Sequence, residues 1–154
     1  MPRFCDAALA YDPVSRRCDA VFDGTDLVLD GTPVTPLLLA LGTDRRARPD
    51  DELPDAVSDF YSPHRIDPRG GWPGDALDAA GRFSGSRLWL LVRKKHLETT
   101  RTLAESALAE AVEPIAAAWG ERAALSVRWI APGILGMKAE MAKATLSLNS
   151  TVAR

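Results

Sequence analysis

The sequence predicts an α+β fold in one domain, and three features of the 154-residue chain support this prediction. Its first thirty residues read as short apolar segments separated by turn residues, which is typical of strands. Residues 98–119 have the spacing of apolar side chains expected for one long helix. Residues 125–129 and 144–148 alternate apolar and polar side chains, as strands with one buried face do.

The opening segments predict a small β meander. Residues 8–11 end at an Asp-Pro turn, and residues 18–22 lead into an Asp-Gly turn before residues 27–29. Asp-Gly between two apolar runs is a strong hairpin signal, so we expect these three segments to pair in sequence order.

A short helix and a long irregular loop follow the meander. Thr35 is the predicted N-cap, Pro36 takes the first helical position, and Gly42 ends the helix. Residues 43–86 are rich in Gly and Pro, lack apolar periodicity and are acidic in their first half. Loops of this length in a small domain usually bind something, so we expect a partner-ordered loop at about 43–86.

The long helix carries an apolar stripe that we expect to face the core. Thr99 or Thr100 is the predicted N-cap. Pro114 lacks a backbone N–H and is expected to kink or interrupt the helix. The members of the stripe recur every four residues: Leu103, Ala107, Ala111, Ile115 and Trp119.

The C-terminal segments predict a β-hairpin, with residues 131–142 as the connection between its strands. The outer face of the last strand is polar but uncharged, and no lysine or proline guards its edge over residues 145–150. Such an edge can accept a strand from another chain by β-augmentation. The predicted partner-binding residues here are Thr145, Leu146, Ser147 and Leu148.

Composition argues against several classes of function. The formal net charge is −2 and the sequence pI is about 5.7, so no global field attracts nucleic acid or anionic lipid. The longest aliphatic run, residues 37–41, is far too short to span a bilayer, and the N-terminus lacks the apolar core of a signal peptide. We therefore expect a soluble protein made in a cytoplasm, without nucleic acid, membrane or small-molecule substrate.

The chain offers no clear catalytic or metal-binding constellation, and we expect no enzyme activity, cofactor or metal. The densest carboxylate cluster, at residues 50–55, follows three arginines, which favours a solvated or self-paired loop. A hydrolase that uses Asp51 or Glu52 stays open as the alternative. His64 and His96 lie far apart in the sequence, without the spacing of a metal site.

Two cysteines are too few for a disulfide framework. Cys5 and Cys18 are expected to be reduced, partly buried thiols, with a disulfide formed outside the reducing cytoplasm as the alternative. The basic residues 93–96 could contact phosphate, but only Trp89 lies near them in the sequence. A solvated helix entrance or a partner-facing patch is therefore favoured over a nucleic-acid groove.

Four tryptophans need an explanation in a chain of this size. Trp89, Trp119 and Trp129 lie on periodic segments, so we expect them to pack in the core. Trp72 lies in the Gly- and Pro-rich loop, where it is either an anchor in another subunit or a local cover.

Three blocks of sequence carry a specific resemblance. They are TDRRARPDDELPD at residues 43–55, DPRGGWPGD at residues 67–75 and GSRLWLL at residues 85–91. In order and spacing they resemble the gene-product-forty-six family of Mu-like phages, over roughly residues 6–150. That family is in turn similar to the wedge and sheath-initiator proteins of contractile phage tails.

The resemblance implies a structural baseplate subunit in the virion, assembled in the host cytoplasm and present in about six copies per tail. Its partners would be other wedge subunits and the tail sheath protein. A Glu-Pro-Arg string of the wider group corresponds here to residues 120–122, without the proline, so a wedge contact is carried over to Glu121 and Arg122. The matching blocks supply the other expected partner-binding residues, namely Arg45, Arg46, Asp51, Trp72 and Arg87.

Charge is also segregated along the chain. Residues 44–59 hold six acidic and three basic side chains, whereas residues 82–101 hold six basic and one acidic. Patches of opposite sign set the register between neighbouring molecules and speed their encounter, so we expect these segments to face other subunits.

Overall fold

The computed structural model describes residues 5–15, 17–54, 67–92 and 94–152. Strands occur near both ends of the chain and helices lie between them, which confirms the α+β class. Two short 3₁₀ helices, Pro73–Leu77 and Arg87–Leu91, flank the second half of the long loop. The described strands and helices are β1 (Asp6–Ala7), β2 (Leu9–Asp12), β3 (Arg17–Ala20), β4 (Leu29–Asp30), α1 (Val34–Gly42), α2 (Glu98–Trp119), β5 (Ala124–Ala131), β6 (Ile134–Met141) and β7 (Ala144–Thr151).

The N-terminal strands close on themselves more tightly than a meander. β2 pairs with β3, and Phe22 pairs with Leu27 in the expected order, but β4 also returns to pair with β1. The three segments meet where the amide of Ala8 donates to Val28 and the amide of Val21 donates to Ala8. Short strands on their own would leave many backbone groups unpaired, and this closure satisfies some of them.

Helix α1 begins one residue before the predicted cap. Its N-cap is Pro33, so the assignment of Thr35 as the cap is wrong. Thr35 is buried, and its hydroxyl donates to the carbonyl of Ala7 at 2.9 Å while accepting the amide of Leu9 at 3.1 Å. The hydroxyl therefore joins α1 to the N-terminal strands, because a buried donor and acceptor must find partners.

Helix α2 has the predicted bounds, but its N-terminus differs from the prediction. Leu97 is the N-cap, and the buried Thr100 donates its hydroxyl to the carbonyl of Lys95 at 2.8 Å. The helix continues through Pro114, so the expected interruption does not occur. Gly120, in a left-handed conformation with φ of 65°, ends it.

The buried face of α2 is rotated slightly from the predicted stripe. Leu103 is 52% exposed, which contradicts its expected place in the core. Trp119 is only partly buried, although it packs against the core. The buried positions are Thr100, Ala104, Ala107, Leu108, Ala111, Val112 and Ile115.

The C-terminal sheet has a strand that the sequence did not predict. Residues 131–142 were expected to be a connection, but β6 occupies most of this segment and lies between β5 and β7. Four alternating side chains of β6 are buried, as a central strand requires. They are Leu135, Met137, Ala139 and Met141.

The helices cover one face of this sheet and form the core with it. α1 contacts β7, and α2 contacts β5 and β6. Leu37, Leu108 and Leu135 are fully buried in this layer. Of the tryptophans predicted to pack in the core, Trp119 and Trp129 lie against it, partly buried.

The described parts of the long loop are held against each other by backbone contacts. The amide of Arg45 donates to the carbonyl of Ser86 at 2.9 Å, and the amide of Ala47 donates to Arg69 at 2.8 Å. Gly85 has φ of 92°, and a Cβ there would lie 2.4 Å from the carbonyl oxygen of Thr43. This close approach of two backbones requires glycine.

Candidate partner-binding surfaces

An ion-pair hub joins the acidic loop to α2 and to the second 3₁₀ helix. The hub consists of Arg45, Arg48, Asp51, Arg87 and Glu110. Both oxygens of Glu110 are used: Oε1 lies 2.8 Å from Arg48 and 3.8 Å from Arg45, and Oε2 lies 2.7 Å from Arg87. Arg87 also contacts Asp51 at 2.8 Å, and Asp51 accepts the amide of Arg48 at 2.8 Å.

The hub keeps its acids ionised. Burial raises the pKa of Glu110, but the hydrogen bonds and charges of Arg87, Arg45 and Arg48 outweigh it and leave the pKa below its usual value. Burial likewise raises the pKa of Asp51, and the Arg48 amide and the Arg87 guanidinium bring it below normal. The side chains of Arg87 and Glu110 are 13% and 21% exposed, so water screens this pairing only in part.

The segregated charges therefore meet within one chain. Asp51 of the acidic segment pairs with Arg87 of the basic segment, and Glu52 pairs with Lys94. The sequence showed both segments but not that they fold against each other. Glu110 was missed, because a single glutamate on a helix does not stand out from other surface acids.

Arg46, which follows Arg45 of the hub, lies against Gly71, the neighbour of Trp72. Arg46 forms an ion pair with Asp67 at 2.6 Å. Trp72 is 54% exposed, and its ring lies over Gly74, where a Cβ would come within 2.1 Å of the indole. The ring thus covers its own loop and still presents half its surface, which leaves both predicted roles of Trp72 open.

The acidic run and the apolar side chains of Leu90 and Leu103 line an open cleft of about 260 Å³. Asp51 and Glu52 lack the raised pKa that a general acid needs. The pKa of Asp51 is lowered, and hydrogen bonding by Lys94 lowers that of Glu52. Among the described residues no three His, Cys, Asp or Glu side chains come together as a metal site would require. Asp55 and His64 lie outside the described residues.

The outer edge of β7 carries backbone groups that the sheet does not use. In an antiparallel pair, alternate residues bond to the neighbouring strand. The amide of Val152 donates to the carbonyl of Gly133, so the even-numbered residues of β7 bond to β6. The N–H and C=O groups of the odd-numbered residues point away from β6 and form what we call the β7 edge: Thr145, Ser147, Asn149 and Thr151.

Their side chains are exposed and uncharged, and no described strand pairs on this side of β7. Leu146 and Leu148, predicted with Thr145 and Ser147 as partner-binding, face the helices instead and are half-buried. The four predicted residues thus divide between an outer edge and an inner face.

The opposite edge of the same sheet, on β5, is guarded. Arg101 on α2 extends a guanidinium N–H to the carbonyl of Val127 at 3.4 Å. A bulge between Trp129 and Ala131 also interrupts the regular register there. A charged side chain and a bulge are two devices by which natural sheets keep an edge from pairing with another chain.

The other predicted residues are dispersed. Glu121 accepts the amide of Ala142 at 3.2 Å, so it supports the turn between β6 and β7. Arg122 is exposed. His96 is exposed; its ring stacks on Trp129 with ring centroids 3.8 Å apart and accepts the amide of Gly133.

Three other predictions concern Trp89, the basic cluster and the cysteines. The indole N–H of Trp89, which is partly buried, donates to the carbonyl of Arg45 at 2.8 Å and so supports the hub. Arg93 of the basic cluster lies outside the described residues. Both cysteines are exposed free thiols, so their expected partial burial is wrong.

Comparison with known proteins assigns the chain to a family. The model of the family described as Phage protein GP46 matches residues 33–148. The chain therefore belongs to the phage protein GP46 family, as the three sequence blocks predicted. The matched range includes the hub and the first two residues of the β7 edge, whereas β1 to β4 precede it.

One curated relative is "Baseplate protein gp46" of Escherichia phage Mu. It is 38% identical over 112 residues, which cover 73% of this chain and 69% of the Mu protein. No solved structure matches the chain. Among the described residues, no helix has the length and apolar character needed to cross a membrane.

Proposed function

We propose that this protein is a structural subunit of a contractile phage-tail baseplate, which links the wedge to the first sheath ring. The observation that carries this proposal is the β7 edge, an open row of backbone donors and acceptors on an otherwise well-packed sheet. The chain belongs to a family that includes a protein named as a baseplate protein, and this supports a place in the baseplate.

The β7 edge has the properties of a site for an incoming strand. It belongs to an eight-residue strand, which is long for an edge that carries neither charge nor proline. Each backbone group facing outward bonds to water in the free protein and to a partner strand after β-augmentation. The sheath protein is the proposed partner at this edge.

The hub gives the second proposed contact a rigid base. Arg45, Asp51 and Arg87 hold the loop on α2, and the neighbouring Arg46 and the half-exposed Trp72 are the proposed contacts for wedge subunits. Glu121 and Arg122 lie beyond the end of α2, where the resemblance places a further wedge contact. With about six copies per tail, the protein is assembled into the virion in the host cytoplasm.

The alternative, a cell-wall hydrolase that uses the acidic loop, has less support. Glycoside hydrolysis needs one carboxyl group whose pKa is raised, so that it can donate a proton. Asp51 and Glu52 are instead paired with Arg87 and Lys94, which lower their pKa values. These residues hold the loop in place, and no observation favours hydrolysis.

A single substitution can block strand addition at the β7 edge without disturbing the fold. Ser147→Pro removes an outward N–H and adds a ring at the edge, without removing a bond to β6. We expect the variant to fold and enter baseplates but to fail to start a sheath. The variant loses one hydrogen bond to the incoming strand, and the proline ring clashes with that strand. Together these effects should weaken binding of the partner strand by about a hundredfold or more.

The matched control is Ser147→Ala, which keeps the N–H and should assemble normally. Sheathed tails are counted by electron microscopy in cells that carry each variant in place of the natural gene. Normal sheaths on Ser147→Pro baseplates would rule out strand addition at this edge.

A further inference from the structure

The N-terminal strands expose large apolar side chains that the proposed function does not use. Phe22 is 65% exposed and Leu29 is 68% exposed, and Tyr11 and Leu27 are exposed beside them. We call these four residues the N-terminal apolar face. Single exposed apolar residues are ordinary on protein surfaces, but several together mark a binding surface.

The strand register places these side chains on one side. Tyr11 lies directly across from Cys18, and Phe22 lies directly across from Leu27. Since side chains alternate along a strand, Cys18 and Phe22 point to the same side of their segment, and so do Leu27 and Leu29. The register thus joins Tyr11 to Leu29 in one continuous surface.

Carboxylates border this face. Asp23 and Asp26 lie in the turn that joins Phe22 to Leu27. Residues 5–31 contain six aspartates and two arginines, so the strands as a whole are acidic.

One carboxylate of this border has a lowered pKa. The amides of Asp26 and Thr25 donate to the Asp23 carboxylate and hold its pKa below its usual value, so Asp23 is charged near neutral pH. The charge therefore accompanies the apolar face wherever it docks.

We infer that the N-terminal apolar face docks onto another protein of the particle, on an apolar surface bordered by lysine or arginine. Charge complementarity selects this occupant. Two copies of the face would bring their acidic borders together, and anionic lipid or nucleic acid would be repelled in the same way.

This contact is independent of the β7 edge. Helix α1 packs against β7 and also contacts β2, so the two surfaces belong to different layers joined by one helix. The N-terminal strands precede the range matched by the family model, whereas most of β7 lies inside it. The protein would thus hold one partner by its sheet edge and another by its apolar face.

Cys18 offers a direct probe of this face, because its thiol is exposed next to Tyr11. In a Cys5→Ser background, a maleimide is reacted with the free protein and with intact purified tails. Thiols must be accessible to react, so we expect labelling of Cys18 to be at least about tenfold slower in the tails. Equal rates in both samples would overturn the inference.

Charge reversal tests the acidic border. Asp26 lies in the acidic border, whereas Asp19 lies on the opposite side of β3. Asp26→Lys and Asp19→Lys therefore change the charge by the same amount on different sides. We expect Asp26→Lys and Phe22→Ser to lower incorporation into tails by about tenfold, and Asp19→Lys to have a much smaller effect. Equal losses from both lysine variants would contradict the proposed border.

Two further measurements exclude other occupants. Sedimentation should show that the free protein does not form a dimer through this face, so Phe22→Ser should leave its sedimentation unchanged. Vesicles in which about a fifth of the lipid is anionic should not bind the protein. A positive result in either experiment would replace the proposed protein partner. Some baseplates will still incorporate the Phe22→Ser variant, and counting the sheaths on them tests the β7 edge separately. The two proposals can therefore fail independently of each other.

Discussion

The ion-pair hub and the β7 edge meet their bonding needs in opposite ways. Every charged group of the hub has a partner in the same chain, and Glu110 alone pairs with three arginines. The β7 edge has no charge, and its outward N–H and C=O groups have no strand to pair with among the described residues. Sequence reasoning placed partner binding in both regions.

A dense cluster of charges can satisfy itself within one chain, as the hub does. Ion pairs between exposed charges contribute little, and partly buried ones mainly fix geometry. An open strand edge, by contrast, is a hazard unless something covers it. We therefore expect substitutions in the hub to change stability and substitutions at the β7 edge to change assembly.

The largest effect on stability is expected from Leu148→Pro, as a contrast to Ser147→Pro. Leu148 lies in the set that bonds to β6, so proline there removes an internal hydrogen bond and leaves a buried carbonyl unpaired. The expected loss is about 3 kcal/mol of unfolding free energy, against no more than about 1 kcal/mol for Ser147→Pro. Urea unfolding of both variants measures the difference, and similar losses would show that the assigned alternation is wrong.

A medium effect is expected from Glu110→Gln in the hub. The amide keeps the shape of the side chain but loses the charge that holds three arginines. We expect a loss of about 1–2 kcal/mol in urea unfolding, reduced from the value for a fully buried pair because the site is partly exposed. Tails that contain the variant should still carry normal sheaths, and a sheath defect in stable protein would move partner binding back to the hub.

The pH dependence of stability tests the same hub. The pKa values of Glu110 and Asp51 are lowered in the folded protein and return to about 4.3 and 3.9 on unfolding. Their contribution is therefore complete above these unfolded values and is lost as pH falls through the lower folded values. Between about pH 5 and pH 3 the natural protein should lose more stability than Glu110→Gln. An equal loss would show that Glu110 does not hold this role.

The smallest effect is expected from Arg101→Ala, which removes the guard of the β5 edge. Arg101 also pairs with Glu98 and Glu105, which are exposed pairs of low value. We expect a loss below about 1 kcal/mol and a measurable increase in self-association. Sedimentation velocity at several concentrations measures it, and an unchanged monomer would mean that the bulge alone protects β5.

The sequence predicted the elements whose local signals agree with their tertiary setting. Helix α2 has its predicted bounds because strong helix formers fill it and Gly120 ends it. Strands β5 and β7 were found from their alternation. Strand β6 was missed because alanine, methionine and Gly136 have little strand propensity, and only burial between two neighbours makes them a strand.

Tertiary contacts account for the other differences. Thr35 and Thr100 looked like helix caps, but their hydroxyls bond to Ala7 and Lys95, which sequence spacing does not show. Some residues of the hub were predicted from the family blocks. The role of Glu110 was not, because it depends on the packing of α2 against the loop. The β7 edge was predicted from its lack of charge and from the absence of a lysine or proline that would guard it.

Amide hydrogen exchange tests the central claim most directly, because it compares neighbouring residues of one strand. In the free protein, the amides of Thr145, Ser147 and Asn149 should exchange fast, and those of Leu146 and Leu148 should exchange slowly. In assembled tails all five should exchange slowly, because a partner strand now bonds to the outward set. If the outward amides exchange as fast in assembled tails as in the free protein, no strand is added at β7 and the proposed link to the sheath is wrong.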